Sequence, residues 1–208
     1  MDLLSHPRAR QKDEFITHDL IGSVKPYTFL NSIIIPRPIA LITTKGTNGV
    51  VNAAPFSYFN IVSLQPAIIS VSIGWLNGKR KDTAHNIFST KDFVVNICSI
   101  EMAQAVTQTS QDFPRDVSEI EVAQLSLIPS ENISAPRISN TPIQLECRFN
   151  NSLEIENAGE LILGEVVKVH LLKEILNSNG HVDVALLNPL ARLAGQFYAK
   201  ITDFFEIP

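Results

Sequence analysis

Across residues 143–156 the chain alternates with a period of two. The odd positions Ile143, Leu145, Cys147, Phe149, Leu153 and Ile155 are apolar, broken only by Asn151. The even positions Gln144, Glu146, Arg148, Asn150, Ser152, Glu154 and Glu156 are all polar. Successive side chains of a strand point to opposite faces, so this pattern predicts a long strand with one face on a core and one in water. It also puts Cys147 on the core side. Asn157-Ala158-Gly159 follows, and residues 160–172 read as the return strand of a hairpin. Ala67–Gly74 and residues 92–99 are shorter and more completely apolar, as central barrel strands are. Thr47-Asn48-Gly49 separates two further strands, and Asn-Gly favours a hairpin because both residues tolerate positive φ.

Helices are few. Asp82 is expected to cap a helix whose Ala84, Ile87 and Phe88 share one face, and Ser99 to cap a second over residues 100–109. Residues 110–141 carry Pro114, Pro129 and Pro136 with little periodicity. They read as a long excursion with one helix near residues 117–125, of the kind that covers a site or a partner. Short strand spacing with few helices predicts a mainly β, closed barrel rather than a parallel α/β sheet. At 208 residues the chain forms one domain with a substantial core.

Several function classes lose their footing here. A net charge of −4 argues against nucleic-acid binding, which needs a basic surface to replace phosphate counterions. No apolar run approaches the roughly 18 residues of a membrane span, and residues 1–7 lack the apolar stretch of a signal peptide, so a cytoplasmic protein is expected. Cys98 and Cys147 each sit in an apolar strand pattern and read as buried thiols. The histidines at 6, 18, 85, 170 and 181 include no i, i+4 pair, which argues against a zinc site. His85, just inside a helix, reads as a surface or packed side chain. Nucleophile elbow, Walker loop and dinucleotide fingerprint are all absent.

Two segments carry candidate chemistry. Asn52, Pro55 and Ser57 interrupt an apolar strand. Proline removes a ladder donor, so this is either an irregular edge strand or one whose backbone faces a ligand. Lys79-Arg80-Lys81-Asp82-Thr83 sets three cations before a helix start. Free N–H groups, the helix dipole, a lysine and the Thr83 hydroxyl together suit a phosphate dianion, although alone the segment also reads as a solvated basic turn. With the strand end at Ser72-Ile73-Gly74-Trp75, the three segments suit a phosphorylated, planar, partly polar ligand.

These segments, with Pro36-Arg37-Pro38-Ile39-Ala40, Asn86-Ile87, Phe93-Val94-Val95-Asn96, Gly164-Glu165-Val166-Val167 and residues 189–198, resemble the flavin reductase-like family of FMN-binding split-barrel proteins. Its members include flavoredoxin and the reductase component of nitrilotriacetate monooxygenase-type systems. The resemblance spans residues 36–207 and implies a six-stranded Greek-key split β-barrel with a few flanking helices. It further implies a homodimer with non-covalent FMN near the subunit interface. Asn52, Ala54, Pro55, Phe56, Ser57, Ser72, Ile73 and Gly74 would lie along the flavin. Lys81 and Thr83 would meet its phosphate with Arg37 nearby, and residues 192–198 would approach the cofactor. Ala194 departs from the family's usual glycine, which narrows the space beside the cofactor. The implied activity is reduction of FMN by NAD(P)H for an oxygenase or electron-transfer partner. A flavoredoxin-like carrier reduced by a protein partner and a non-catalytic FMN binder are the alternatives. No acid–base pair stands out; Ser57 is the candidate for tuning the flavin.

Overall fold

Residues 11, 14–20 and 25–207 are described in the computed structural model. Residues 1–7, including His6, lie outside the described residues. The elements are α1 (Pro26–Ile33), β1 (Arg37–Pro38), β2 (Ala40–Lys45), β3 (Val51–Phe56), β4 (Phe59–Leu64), β5 (Ala67–Gly74), α2 (Asp82–Thr90), β6 (Asp92–Ile97) and α3 (Ala103–Gln108). They continue with α4 (Glu119–Val122), β7 (Leu127–Ile128), β8 (Arg137–Ile138), β9 (Ile143–Ile155), β10 (Gly159–Leu171), α5 (Val184–Leu187), β11 (Leu190–Arg192) and β12 (Tyr198–Lys200).

The main sheet is antiparallel with strand order β3-β2-β6-β9-β10-β5-β4. It has seven strands rather than the expected six, and it does not close. Its two edges, β3 and β4, are consecutive in sequence and separated only by Ser57 and Tyr58, so the sheet curls until its edges meet at that corner. The ladder does not complete the circle because the outer edge of β3 is occupied by the start of α4. Ser118 Oγ donates to the Val51 carbonyl (2.6 Å), and Glu119 Oε2 accepts from the Ala53 N–H (3.0 Å). The structure is a mainly β split barrel.

Alternation along β2 and β6 feeds two cores. Ala40, Ile42, Phe93, Val95, Ile73 and Ile162 pack with Ala84 and Ile87 of α2 inside the barrel, while Leu41, Ala53, Cys98 and Ile39 pack outside against Met102, Val106, Ile120 and Ile138. Each such fully buried aliphatic contributes about 1.5–3 kcal/mol. Burial pushes the Cys98 thiol up to about 12 and the Cys147 thiol higher still.

The long alternating strand departs from its expected two-faced form in two ways. Leu163 pairs with Asn151 but Gly164 pairs with Phe149, so Asn150 is an extra residue in β9. A one-residue bulge reverses which way later side chains point. Leu153 and Ile155, expected in the core, therefore turn outward and are 63% and 45% exposed. Gln144 and Glu146, expected in water, are buried because the excursion lies over them. Glu146 accepts the Glu131 and Asn132 N–H groups, each at 2.8 Å. Ser134 binds Asp92, Ile138 N–H donates to Asn96, and Thr43 donates to the Pro136 carbonyl. Residues 131–138 thus lie over their own barrel.

Local details differ as well. Lys81, not Asp82, is the N-cap residue of α2; the Asp82 carboxylate is drawn to Arg115 at 3.0 Å instead of its own helix amides. Ser99 precedes a single 3₁₀ turn leading into α3 and makes no capping side-chain bond. In the β2–β3 turn only Gly49 takes positive φ (87°). No helix among the described residues is long and apolar enough to cross a membrane.

Candidate functional site

Pro55 lies on the β3 edge, paired in register with Leu41, where its missing N–H costs no ladder bond. Two clefts flank it. One, of about 490 Å³, runs from Asn52, Ala54 and Thr83 past Lys79, Lys81 and Glu119 to Phe113. The other, of about 480 Å³, is lined by Ser57, Tyr58, Ser72, Gly74 and Trp75 with Arg37, Arg192 and Ala194. Both are walled by Pro55, Phe56 and Lys81, so they adjoin along those residues and together form the candidate trough. Its span and its mix of apolar wall and convergent polar groups suit a small-molecule site.

At one end stands the N-terminus of α2. The first-turn N–H groups and dipole of this nine-residue helix favour negative charge. The Lys81 ammonium has no hydrogen bond or ion pair among the described residues and faces the trough. Thr83, 1% exposed, has its hydroxyl 2.9 Å from the Asn52 amide. Of the three expected cations, Arg80 does not serve this end. It binds Glu160 and Glu154 and lies 4.9 Å over the Phe88 ring. Glu119 stands behind Asn52. Burial raises its carboxyl above the ordinary 4.5; the Ala53 N–H opposes that shift, and the nearby Asp82 charge adds to it.

At the other end, Arg37 is 7% exposed and its donors are directed inward. Nη1 donates to the carbonyls of Asn31 (2.9 Å) and Ile34 (2.6 Å), Nη2 to that of Leu193 (3.0 Å), and Nε to Ser57 Oγ (3.3 Å). Arg37 therefore braces the cleft by joining α1, the β3–β4 corner and the loop after β11. Trp75 is held by Glu160, whose Oε1 accepts from its Nε1 at 3.0 Å, while Glu160 Oε2 is buried without a partner among the described residues. Arg192 stacks on Tyr198 at 4.5 Å.

Of the residues expected at the site, Asn52, Ala54, Pro55, Phe56, Lys81 and Thr83 line one part of the trough and Arg37, Ser57, Ser72 and Gly74 the other. Ile73 is the exception. Its side chain is fully buried in the barrel core because neighbours on a strand face opposite ways. Glu119 is the main residue that sequence reasoning missed: an acidic residue beside Ile120 in an unpatterned segment gives no sign that it crosses to Ala53. Among the described residues no three His, Cys, Asp or Glu side chains gather as a metal site.

Comparison with known proteins agrees with this architecture. Residues 32–197 match the model of the flavin reductase like domain. An uncharacterized protein of Halalkalibacterium halodurans is 36% identical over 91% of this chain and 93% of its own length. Nitrilotriacetate monooxygenase component B from Bacillus cereus superposes with a TM-score of 0.87 at 36% identity, covering 93% of this chain and 98% of that one. The Pseudomonas fluorescens 2-nitrobenzoate 2-nitroreductase superposes with a TM-score of 0.84 at 30% identity, covering 92% and 95%. Matched over most of its length in sequence and in fold, the chain belongs to the flavin reductase-like domain family.

Proposed function

We propose that this chain binds FMN non-covalently in the trough and acts as a flavin reductase, taking electrons from NAD(P)H for a partner acceptor. The observation that carries the reading is that two clefts adjoin along Pro55, Phe56 and Lys81. That junction joins an anion-favouring helix start to a cleft with apolar walls and a few hydroxyls. The residues present fit such a ligand, with Lys81, Thr83 and the first-turn amides of α2 toward the phosphate and residues 54–57 along the ring system. Bound FMN supplies hydride acceptance and electron release, so the protein needs to orient and tune it. Ser57 has the means to do so. Its oxygen accepts from Arg37 Nε, which leaves the hydroxyl hydrogen to donate into the cleft toward the flavin's N5–O4 edge. Arg37 fixes that direction.

The resemblance to a monooxygenase component B supports an oxygenase as the acceptor. Anaerobic stopped-flow mixing of the FMN-loaded protein with NADH or NADPH tests the reductase reading through loss of flavin absorbance. Bleaching by either nucleotide supports it; bleaching by neither overturns it in favour of a carrier reduced by a protein partner.

The same reading includes a homodimer. The bulge at Asn150 turns Leu153 outward opposite Leu161, which is itself opposite Ser72 of the cleft. Leu153, Ile155, Leu161 and Leu163 thus make an apolar surface beside the site, and a second copy covering it would complete the cleft wall. Leu153→Glu should shift the sedimenting mass from dimer to monomer and weaken FMN binding. A monomeric wild type with full FMN affinity would contradict this.

A further inference from the structure

Asn52 stands between two groups that make opposite demands on it. One end of its amide lies 2.9 Å from Thr83 Oγ1 and the other 3.2 Å from Glu119 Oε1. An amide has one accepting and one donating end, so its orientation depends on the protonation of Glu119. When Glu119 is ionised, Nδ2 turns to the carboxylate, and the amide oxygen accepts from the Ala53 N–H (3.2 Å) and the Thr83 hydroxyl. The Thr83 hydrogen is then held within the protein, and only its oxygen lone pairs remain for the cleft. When Glu119 carries a proton, its O–H donates to Asn52 Oδ1, Nδ2 donates to Thr83 Oγ1, and the Ala53 N–H is held by Glu119 Oε2 alone (3.0 Å). The Thr83 hydrogen is then left to donate into the cleft.

We propose that Glu119 is a proton-linked positioning residue for the anion end of the trough: a phosphate bound beside Thr83 draws one proton onto Glu119, and loss of that proton turns Thr83 from donor to acceptor. The inference rests on the reading that the FMN phosphate lies at the start of α2.

Of the surrounding charges, the nearby Asp82 favours the neutral acid at Glu119, whereas the cations of the cleft favour the ionised one. Asp82 of α2 faces Glu119 and is itself paired with Arg115 from the segment before α4. Lys79, Arg80, Lys81 and Asp112 line the same cleft, and Glu121 lies on α4 itself; β3 contributes only neutral groups, Asn52 and Ala53. Burial already favours the neutral acid at Glu119. A phosphate dianion at Thr83 adds negative charge and favours it further. By linkage, FMN affinity then falls as pH rises through the value at which Glu119 ionises, by up to about tenfold per pH unit.

The phosphate's own ionisation, near pH 6, titrates in the same range, so wild type is compared with Glu119→Gln. Glutamine keeps an acceptor for the Ala53 N–H and permanently supplies the donor that the protonated acid offers Asn52. Calorimetric titration of apoprotein with FMN, in buffers of different ionisation heat, reads the protons taken up. At pH 8 wild type should take up close to one proton more per FMN than Glu119→Gln, and the variant should bind FMN at least tenfold more tightly. The two should converge as pH falls and Glu119 becomes protonated in the free protein, and riboflavin should distinguish them at no pH. Thr83→Val should abolish the pH 8 difference when added to both backgrounds. Equal proton uptake in wild type and Glu119→Gln, with FMN still binding, overturns the relay alone. Failure of wild type to bind FMN at any pH overturns the site reading and the relay with it.

Discussion

His170 Nε2 lies 2.8 Å from Glu146 Oε1, a carboxylate with no exposure to solvent. Burial by itself would raise the Glu146 pKa. The N–H groups of Glu131 and Asn132 and the His170 ring outweigh burial and hold it below the ordinary 4.5. A carboxyl depressed in the folded state stabilises above its unfolded value and loses that contribution as pH falls through the folded one. Denaturant midpoints should therefore drop as pH falls below 4.5. Glu146→Gln should flatten that slope and cost about 1–3 kcal/mol at neutral pH, since its amide NH₂ would face one of the two backbone donors that now meet a carboxylate oxygen. An unchanged slope would contradict the role given to this network.

Gly159 is the point at which the β9–β10 hairpin meets the end of β5. Its φ is +154°, and an added Cβ would lie 2.3 Å from the Ile73 carbonyl oxygen and 2.8 Å from Gly74 Cα. Backbone on both sides cannot yield without moving the cleft wall at Gly74 and Trp75. Gly159→Ala should cost about 3 kcal/mol or more in equilibrium unfolding and weaken FMN binding together with stability. Stability within about 0.5 kcal/mol of wild type would show that this register is soft.

Arg37 braces the opposite wall. Arg37→Ala leaves the Asn31, Ile34 and Leu193 carbonyls without their donor, and a loss of about 2–3 kcal/mol is expected on urea unfolding. Arg37→Lys should recover only part of it, because an ammonium cannot reproduce the planar fork. Recovery to the wild-type value would mean that charge alone suffices.

The strands were legible in the sequence because their periodicity is local: β5 falls where its apolar run does, and β9 begins at Ile143. The bulge at Asn150 was hidden, since apolar residues continue at odd positions and only Asn151 breaks the pattern. Similarly, Gln144 and Glu146 look like a wet face until residues 128–138 are laid over them, and no spacing encodes that. The trough residues on β3 and α2 were legible because proline on a strand and cations before a helix are local chemical signals. Glu119 was not, because its partner Ala53 lies 66 residues away. Arg37 showed its charge but not its partners, among them a carbonyl 156 residues further on.

The central claim is that the helix start at Lys81 and Thr83 receives the phosphate of a flavin whose ring lies along residues 54–57. Fluorescence titration of apoprotein with FMN and with riboflavin tests it most directly. FMN should saturate at one per chain and bind more tightly than riboflavin. Lys81→Ala should weaken FMN by about 1.5–3 kcal/mol, roughly ten- to a hundredfold, while leaving riboflavin unchanged. Absence of saturable FMN binding, or equal affinity for the two flavins, would contradict the account.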